Sequence, residues 1–247
     1  MGKNAQAEVL DEALTVRDSI IYEKEISPYQ EQTYSTSDRI NFEQLKQKQY
    51  AGKRTIDLVL SFIGCVIFAL VYPFFALAIK FSSKGPVIFK QPRTGQNGYS
   101  FTCYKFRTMH QLNLRRIDGK PVVTQEGDKR IFWFGSMLRK TNLDELPQII
   151  NVLKGDMSLV GPRPYAVDEC KHWNQMFEDH YCRYAVKPGI TGYAQINGLR
   201  GGTYDKEHMR ERLDKDLVYV NKQSMSLDLF IIWHTILQML KLETNAH

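Results

Sequence analysis

Asp144 and Glu145 stand side by side where a helical apolar pattern begins, carried by Leu146, Ile149, Ile150, Val152 and Leu153. Asn142 and Glu145 have the spacing of a capping box, and Pro147 falls in the first turn, where a missing N–H costs least. A helix start presents free N–H groups and the positive end of its dipole, which favours an ionised carboxylate and a bound phosphate alike. Further on, Arg163 sits between Pro162 and Pro164, on backbone with little freedom to move. A carboxylate, a second carboxylate beside it and a rigidly held guanidinium are the parts phosphoryl transfer needs. Helix capping uses the same acidic residues, so the rest of the chain has to decide.

Other cations fall where they could meet an anion. Val87–Gln91 and Tyr99–Phe106 read as two strands joined through Thr94–Gly98, with Asn97-Gly98 as the turn signal. Strand alternation puts Lys105 and Arg107 on one face. Val186–Gly192, carrying Lys187, is a turn-rich loop, Tyr193–Asn197 reads as a strand, and the Gly198–Gly202 loop carries Arg200. Such loops can cradle phosphate, but the pattern is neither a P-loop nor a dinucleotide fingerprint.

These residues need elements to hold them. Leu58–Ile79 is 22 residues without a charge, about 33 Å if helical and long enough to cross a bilayer core. Lys53 and Arg54 flank one end and Lys80, Lys84 and Lys90 the other, so the positive-inside rule favours both ends on the cytoplasmic side. Pro73 removes a backbone donor and clashes with the Ala69 carbonyl, which kinks a helix. Charge and proline leave spanning and re-entry both open. Arg130–Lys140 packs Phe132, Trp133, Phe134, Met137 and Leu138 between cations, a composition suited to a helix in the headgroup region. Tyr165–Ala185 reads as helical, His208–Val220 as a charged helix, and Leu229–Leu242 as an apolar helix lying at the interface or on the domain.

The 247 residues are 43% apolar, enough for a core, and carry a net charge of +6. Residues 1–50 hold six Lys/Arg against nine Asp/Glu, so residues 51–247 hold +9 and have to meet something anionic. The first fifty residues read as an appendage, with a short amphipathic helix at Val9–Ile21 and a polar arm over Ser27–Gln49. Four cysteines fit no disulfide framework and point to a reducing compartment. The first apolar run begins only after residue 55, so no secretory signal is expected.

Taken in order, KRTIDLVLSFIG, GPVIFKQPRTGQNG, YKFRTM, LRKTNLDELPQIINVLKGDMSLVGPRP, VKPGITGYAQINGLRG and DLVYVNKQSMSLDL resemble the bacterial sugar transferase family. These are the monotopic polyprenyl-phosphate phosphoglycosyltransferases, and the resemblance runs from about Lys53 to Leu242. It implies an α+β, mostly helical monotopic protein with a kinked re-entrant helix broken at Pro73, interfacial amphipathic helices and a small hairpin. The expected division is an arm (1–50), the membrane helix (51–84) and a cytoplasmic catalytic domain (85–247) at the bacterial inner membrane. The implied reaction moves a sugar-1-phosphate from a UDP-sugar to undecaprenyl phosphate and releases UMP, early in exopolysaccharide, capsule or O-antigen assembly. By motif, Asp144 resembles the nucleophile that forms an aspartyl phosphosugar, and Glu145 a ligand of Mg²⁺. Arg163 matches the family's Pro-Arg-Pro arginine, Lys105 a site lysine and Asp216 a site carboxylate, with Arg200 and Lys187 as further phosphate or nucleotide contacts. Tyr72 stands where the family commonly has a serine before the breaking proline. The arm is compatible with a homodimer.

Two other classes meet the charge less well. Nucleic-acid binding would need aromatics interleaved with cations on a sheet, or a recognition helix, and neither pattern is present. A glycosyltransferase that moves sugar without phosphate would release UDP, so the leaving nucleotide separates it from the implied reaction.

Overall fold

The computed structural model describes residues 42, 44–46, 49–110, 127–201 and 205–241. The amphipathic helix expected at Val9–Ile21 lies outside them.

Helices dominate. A long helix α1 (Lys53–Ser82) leads into an antiparallel hairpin of β1 (Ile88–Thr94) and β2 (Ser100–Phe106), paired Ile88 to Phe106 and Thr94 to Ser100. The turn follows the Asn-Gly signal: Asn97 and Gly98 both have positive φ, 58° and 77°. Next come α2 (Trp133–Lys140), a 3₁₀ turn at Leu143–Glu145, α3 (Gln148–Lys154) and β3 (Ser158–Val160). Then follow α4 (Val167–Met176), a 3₁₀ segment at His180–Ala185, β4 (Gly189–Thr191), α5 (Tyr193–Ile196), α6 (Lys206–Lys222) and α7 (Met225–Lys241). β3 and β4 form a second, parallel pair.

The larger core gathers Tyr165, Trp173, Met209, Leu213, Tyr219, Val220 and Ile231. Phe42 and Leu45 are buried in it too, with the Phe42 ring 5.9 Å from that of Tyr181. The end of the segment read as a polar arm therefore packs on the folded body. A smaller core joins Ile79 of α1, Phe106 of β2 and Phe132, Phe134 and Leu138 around α2. α2 is two-faced: Phe134 and Leu138 go inward while Trp133 stays 81% exposed.

Among the described residues, α1 is the one helix long and apolar enough to cross a membrane by length and composition. It continues through Pro73 as helix, and Phe62, Leu70, Phe74 and Phe81 lie exposed along it. Both its ends are pinned to the same body. At the start, Lys53 Nζ bonds Asp228 Oδ2 at 2.5 Å and the Val160 carbonyl at 3.1 Å, while Arg54 caps the Val152 and Leu153 carbonyls at 2.6 and 2.9 Å. At the far end, Arg107 donates to the Ser83 carbonyl at 2.7 Å, the Ser83 hydroxyl at 2.6 Å and the Pro86 carbonyl at 2.6 Å.

Three local expectations give way. Arg107 does not share a face with Lys105: β2 ends at Phe106, and the buried Arg107 turns to the end of α1. The capping box does not form, because Asn142 adopts left-handed backbone (φ 55°) and caps nothing; the acidic pair sits in a 3₁₀ turn, and α3 begins only at Gln148. Tyr193–Asn197 is helical over Tyr193–Ile196; the strand falls instead on Gly189–Thr191, where pairing with β3 is available.

Candidate active site

The acidic pair is held by what packs around its 3₁₀ turn. Asn151 of α3 is fully buried and bonds β2 as a strand would: its Oδ1 accepts the Tyr104 N–H at 3.1 Å and its Nδ2 donates to the Thr102 carbonyl at 2.7 Å. That docks α3 on the hairpin and brings Lys105 to Glu145, Nζ to Oε1 at 2.6 Å.

Arg163 reaches Glu145 from the opposite direction. Its guanidinium takes the carboxylate in two bonds, 2.7 Å to Oε1 and 3.2 Å to Oε2. Its placement depends on glycines. A Cβ on Gly161 would lie 2.4 Å from the Lys187 carbonyl, and one on Gly189 would lie 2.1 Å from Gly161 N. No side chain fits between those backbones, so the Gly-Pro-Arg-Pro and Pro-Gly-Ile-Thr-Gly stretches lock together through Gly161 N to Thr191 O and Gly189 N to Pro162 O, both 2.9 Å. Asp57 of α1 steadies β3 from below, accepting the Ser158 hydroxyl at 2.9 Å and Leu159 N–H at 3.0 Å.

The two carboxylates differ in chemistry. Burial would raise the Glu145 carboxyl, but the charges of Arg163 and Lys105 outweigh it and hold the group well below its usual range. Asp144 is as buried, and among the described residues no hydrogen bond or ion pair reaches its carboxylate. Burial pushes it up to about 6; Lys105, Arg139 and Arg163 oppose the shift, and the charge of Glu145 adds to it. One carboxylate is clamped and permanently ionised. The other is unengaged and still mostly ionised at neutral pH, as an oxygen nucleophile has to be.

Of the residues singled out in the sequence, the fold brings together Asp144, Glu145, Lys105 and Arg163. Arg200 stands at their margin, with the charges of Arg163 and Glu145 both felt at its guanidinium. Asp216 is one step removed: its Oδ2 binds Arg183 at 2.7 Å, and Arg183 donates to the Arg163 carbonyl at 2.8 Å. Lys187 lies elsewhere, beside Arg54 at Gly155, at the far end of α3 from the pair and so about 10 Å along a seven-residue helix.

Sequence reasoning missed Arg139, Asn151 and Arg183. Arg139 was read with the cations flanking an interfacial helix, yet its Nε bonds Thr108 Oγ1 at 2.9 Å and its charge acts on Asp144. Its position five residues before Asp144 was the available signal. Nothing local marks Asn151 or Arg183, whose partners are distant in sequence.

Two carboxylates suit a hard cation that takes its remaining ligands from phosphate oxygens and water. Among the described residues no group of three or more His, Cys, Asp or Glu could hold a metal ion alone. Glu145 Oε1 already carries two cations, so a metal would take the freer Oε2 and require Lys105 to turn toward a phosphate.

The bacterial sugar transferase profile matches residues 48–242. The chain is 45% identical over 186 residues to the UDP-glucose:undecaprenyl-phosphate glucose-1-phosphate transferase of Escherichia coli K12, covering 74% of this chain and 39% of that protein. It is 43% identical to a transferase of the same name from Caulobacter vibrioides, covering 79% and 72%. It is 41% identical to the exopolysaccharide production protein PSS of Rhizobium leguminosarum, covering 74% and 92%.

Proposed function

Because the chain belongs to the bacterial sugar transferase family, we propose that it transfers a sugar-1-phosphate from a UDP-sugar to undecaprenyl phosphate and releases UMP. The observation that carries this reading is the pairing of an unengaged, buried carboxylate, Asp144, with one clamped by Lys105 and Arg163. An Asp144 oxygen attacks the β-phosphorus of the donor; the new P–O bond forms as the bridging bond to the α-phosphate breaks, and UMP leaves with the electron pair. The aspartyl phosphosugar is then attacked by a lipid phosphate oxygen, which returns the carboxylate.

Arg163, and Lys105 once it has turned from Glu145, hold phosphate oxygens while charge develops on them. Arg139 acts in the same direction on the Asp144 side. Mg²⁺ is part of the proposal, with Glu145 as its protein ligand; bound with the diphosphate, it would neutralise charge on the phosphates.

The membrane part of the reading is a re-entrant α1 at the cytoplasmic face of the inner membrane. It is supported by the pinning of both helix ends to one body, since a helix crossing the bilayer would carry them to opposite sides. The exposed apolar faces of α1, α2 and α7 then meet lipid.

The test is to identify the leaving nucleotide and to trap the intermediate. Incubation with a panel of UDP-sugars labelled in the sugar should release UMP and leave sugar phosphate on Asp144. Release of UDP would instead make this a transferase of sugar alone.

A further inference from the structure

Among the described residues, Arg200 is a half-buried guanidinium bound only to neutral oxygens. Its Nε donates to the Gln195 carbonyl at 3.2 Å and its NH2 approaches Gln238 Oε1 at 3.4 Å. Among the described residues no carboxylate pairs with it, in contrast to Arg163 on Glu145 and Arg183 on Asp216. A partly buried cation next to another cation is costly unless an anion completes it. Its backbone is nevertheless held firmly: Arg212, fully buried in α6, donates to the Arg200 and Gly201 carbonyls, both at 2.9 Å. Arg212 also stands 5.9 Å from the ring of Tyr165, two residues beyond Arg163, so the two arginine-bearing loops are tied to one helix.

The direction in which Arg200 is held names the anion. Gln238 belongs to α7 and fixes that helix to the body by donating to the Ile196 carbonyl at 2.8 Å, as Thr235 does by bonding Thr191 at 2.6 Å. Asp228 and Ile231 of α7 are buried, and its opposite face turns outward: Leu229, Phe230, Trp233, Ile236 and Leu240 are all exposed. Arg200 therefore joins the acidic cluster to the apolar helix, where a phosphate on a lipid tail would arrive. A soluble nucleotide gains nothing from that neighbour.

Resting on the reading of the site given above, we infer that Arg200 is the binding residue for the phosphate of the lipid acceptor rather than for the donor diphosphate. It serves the second half of the reaction, in which a lipid phosphate oxygen bonds the phosphorus, the Asp144–phosphorus bond breaks and the electron pair returns to the carboxylate.

The two halves are separable. Full-length protein in detergent is given labelled UDP-sugar without lipid, and adduct and UMP are measured in one turnover; undecaprenyl phosphate is then added and transfer of label to lipid is followed. In Arg200→Gln, adduct formation should stay within about twofold of wild type while the second step slows about ten- to a hundredfold, as expected for losing a bond to a charged group. Arg200→Lys keeps the charge without the fork and should fall between them; it decides the matter should Arg200→Gln fail to fold. Loss of adduct formation together with transfer would assign Arg200 to the donor and overturn the inference, as would transfer at the wild-type rate. Absence of adduct in the wild type would instead overturn the covalent reading itself.

Discussion

Asn151 and Tyr104 are bonded as neighbouring strands would be, side-chain amide to backbone, and the residue after Tyr104 is the lysine that meets Glu145. Asn151 also donates to Asp156 Oδ2 at 3.2 Å, so one buried side chain fastens the hairpin to α3 and to the turn that follows it. Asn151→Ala should destabilise the protein by about 2–3 kcal/mol, from unsatisfied buried partners, and lower turnover by displacing Lys105. Denaturant unfolding and steady-state rates check it; wild-type stability in the variant would mean the docking is carried elsewhere.

Asp144→Asn should lower transfer about 10⁴-fold or more while leaving membrane association intact. It should also raise the melting temperature at neutral pH. Asp144 binds its proton more tightly in the folded chain, at about 6 against the ordinary aspartate value of 3.8, so its ionisation costs stability as pH rises through that window and is fully unfavourable above it. In the wild type, adduct formation should fall about tenfold per pH unit below about 6, as the nucleophile is protonated. A variant with appreciable turnover, or a flat rate profile down to pH 5, removes Asp144 from the nucleophile's role.

Glu145→Gln should lose most of the rate and alter the Mg²⁺ concentration needed for half-maximal activity. Its carboxyl is held low in the folded state, so it stabilises the fold above the ordinary glutamate range and that contribution is lost on acidification through its depressed value. Calorimetry of the variant should show reduced stability at pH 7. Should the Mg²⁺ requirement be unchanged while the rate falls, Glu145 positions Lys105 and Arg163 but does not hold metal.

What the sequence made legible was local. The apolar run became α1, the Asn-Gly signal became the hairpin turn, and the charged stretch 208–220 became α6, because each rests on neighbours in the chain. The acidic pair was found for a partly mistaken reason: no capping box forms, and burial against β2 rather than a helix dipole sets the character of Asp144. Lys105 and Arg163 were visible by motif, but their meeting on Glu145 needs the Gly161–Gly189 contact and the Asn151 docking, both long-range. Lys187 looked equivalent to Arg200 in sequence, and only packing separates them.

Asp216→Asn should show that a carboxylate can matter without touching substrate. The residue is buried on Arg183, whose guanidinium lies 4.0 Å from the Tyr165 ring and holds the Arg163 carbonyl. Losing the charge leaves Arg183 unpaired in the core and should cost about 3–5 kcal/mol. Below its melting temperature the variant should lose turnover more than affinity for UDP-sugar, because Arg163 is misplaced rather than removed. A large rise in KM with turnover intact would instead put Asp216 in contact with donor.

The re-entry proposed for α1 rests on its two anchors. Lys53 is buried on Asp228, which also accepts the hydroxyls of Tyr50 at 2.7 Å and Tyr219 at 2.8 Å; Arg107 holds Ser83 and Pro86. Drawing either end through a bilayer would strip a buried ion pair or a triply bonded guanidinium of its partners, several kcal/mol in each case. Single cysteines placed by Ala51→Cys and Lys84→Cys, both at exposed positions, should therefore react with an impermeant maleimide from the same side. Inverted membrane vesicles should label both above the wild-type background, and intact spheroplasts neither. Labelling of one site in each preparation would make α1 a spanning helix and overturn its re-entry.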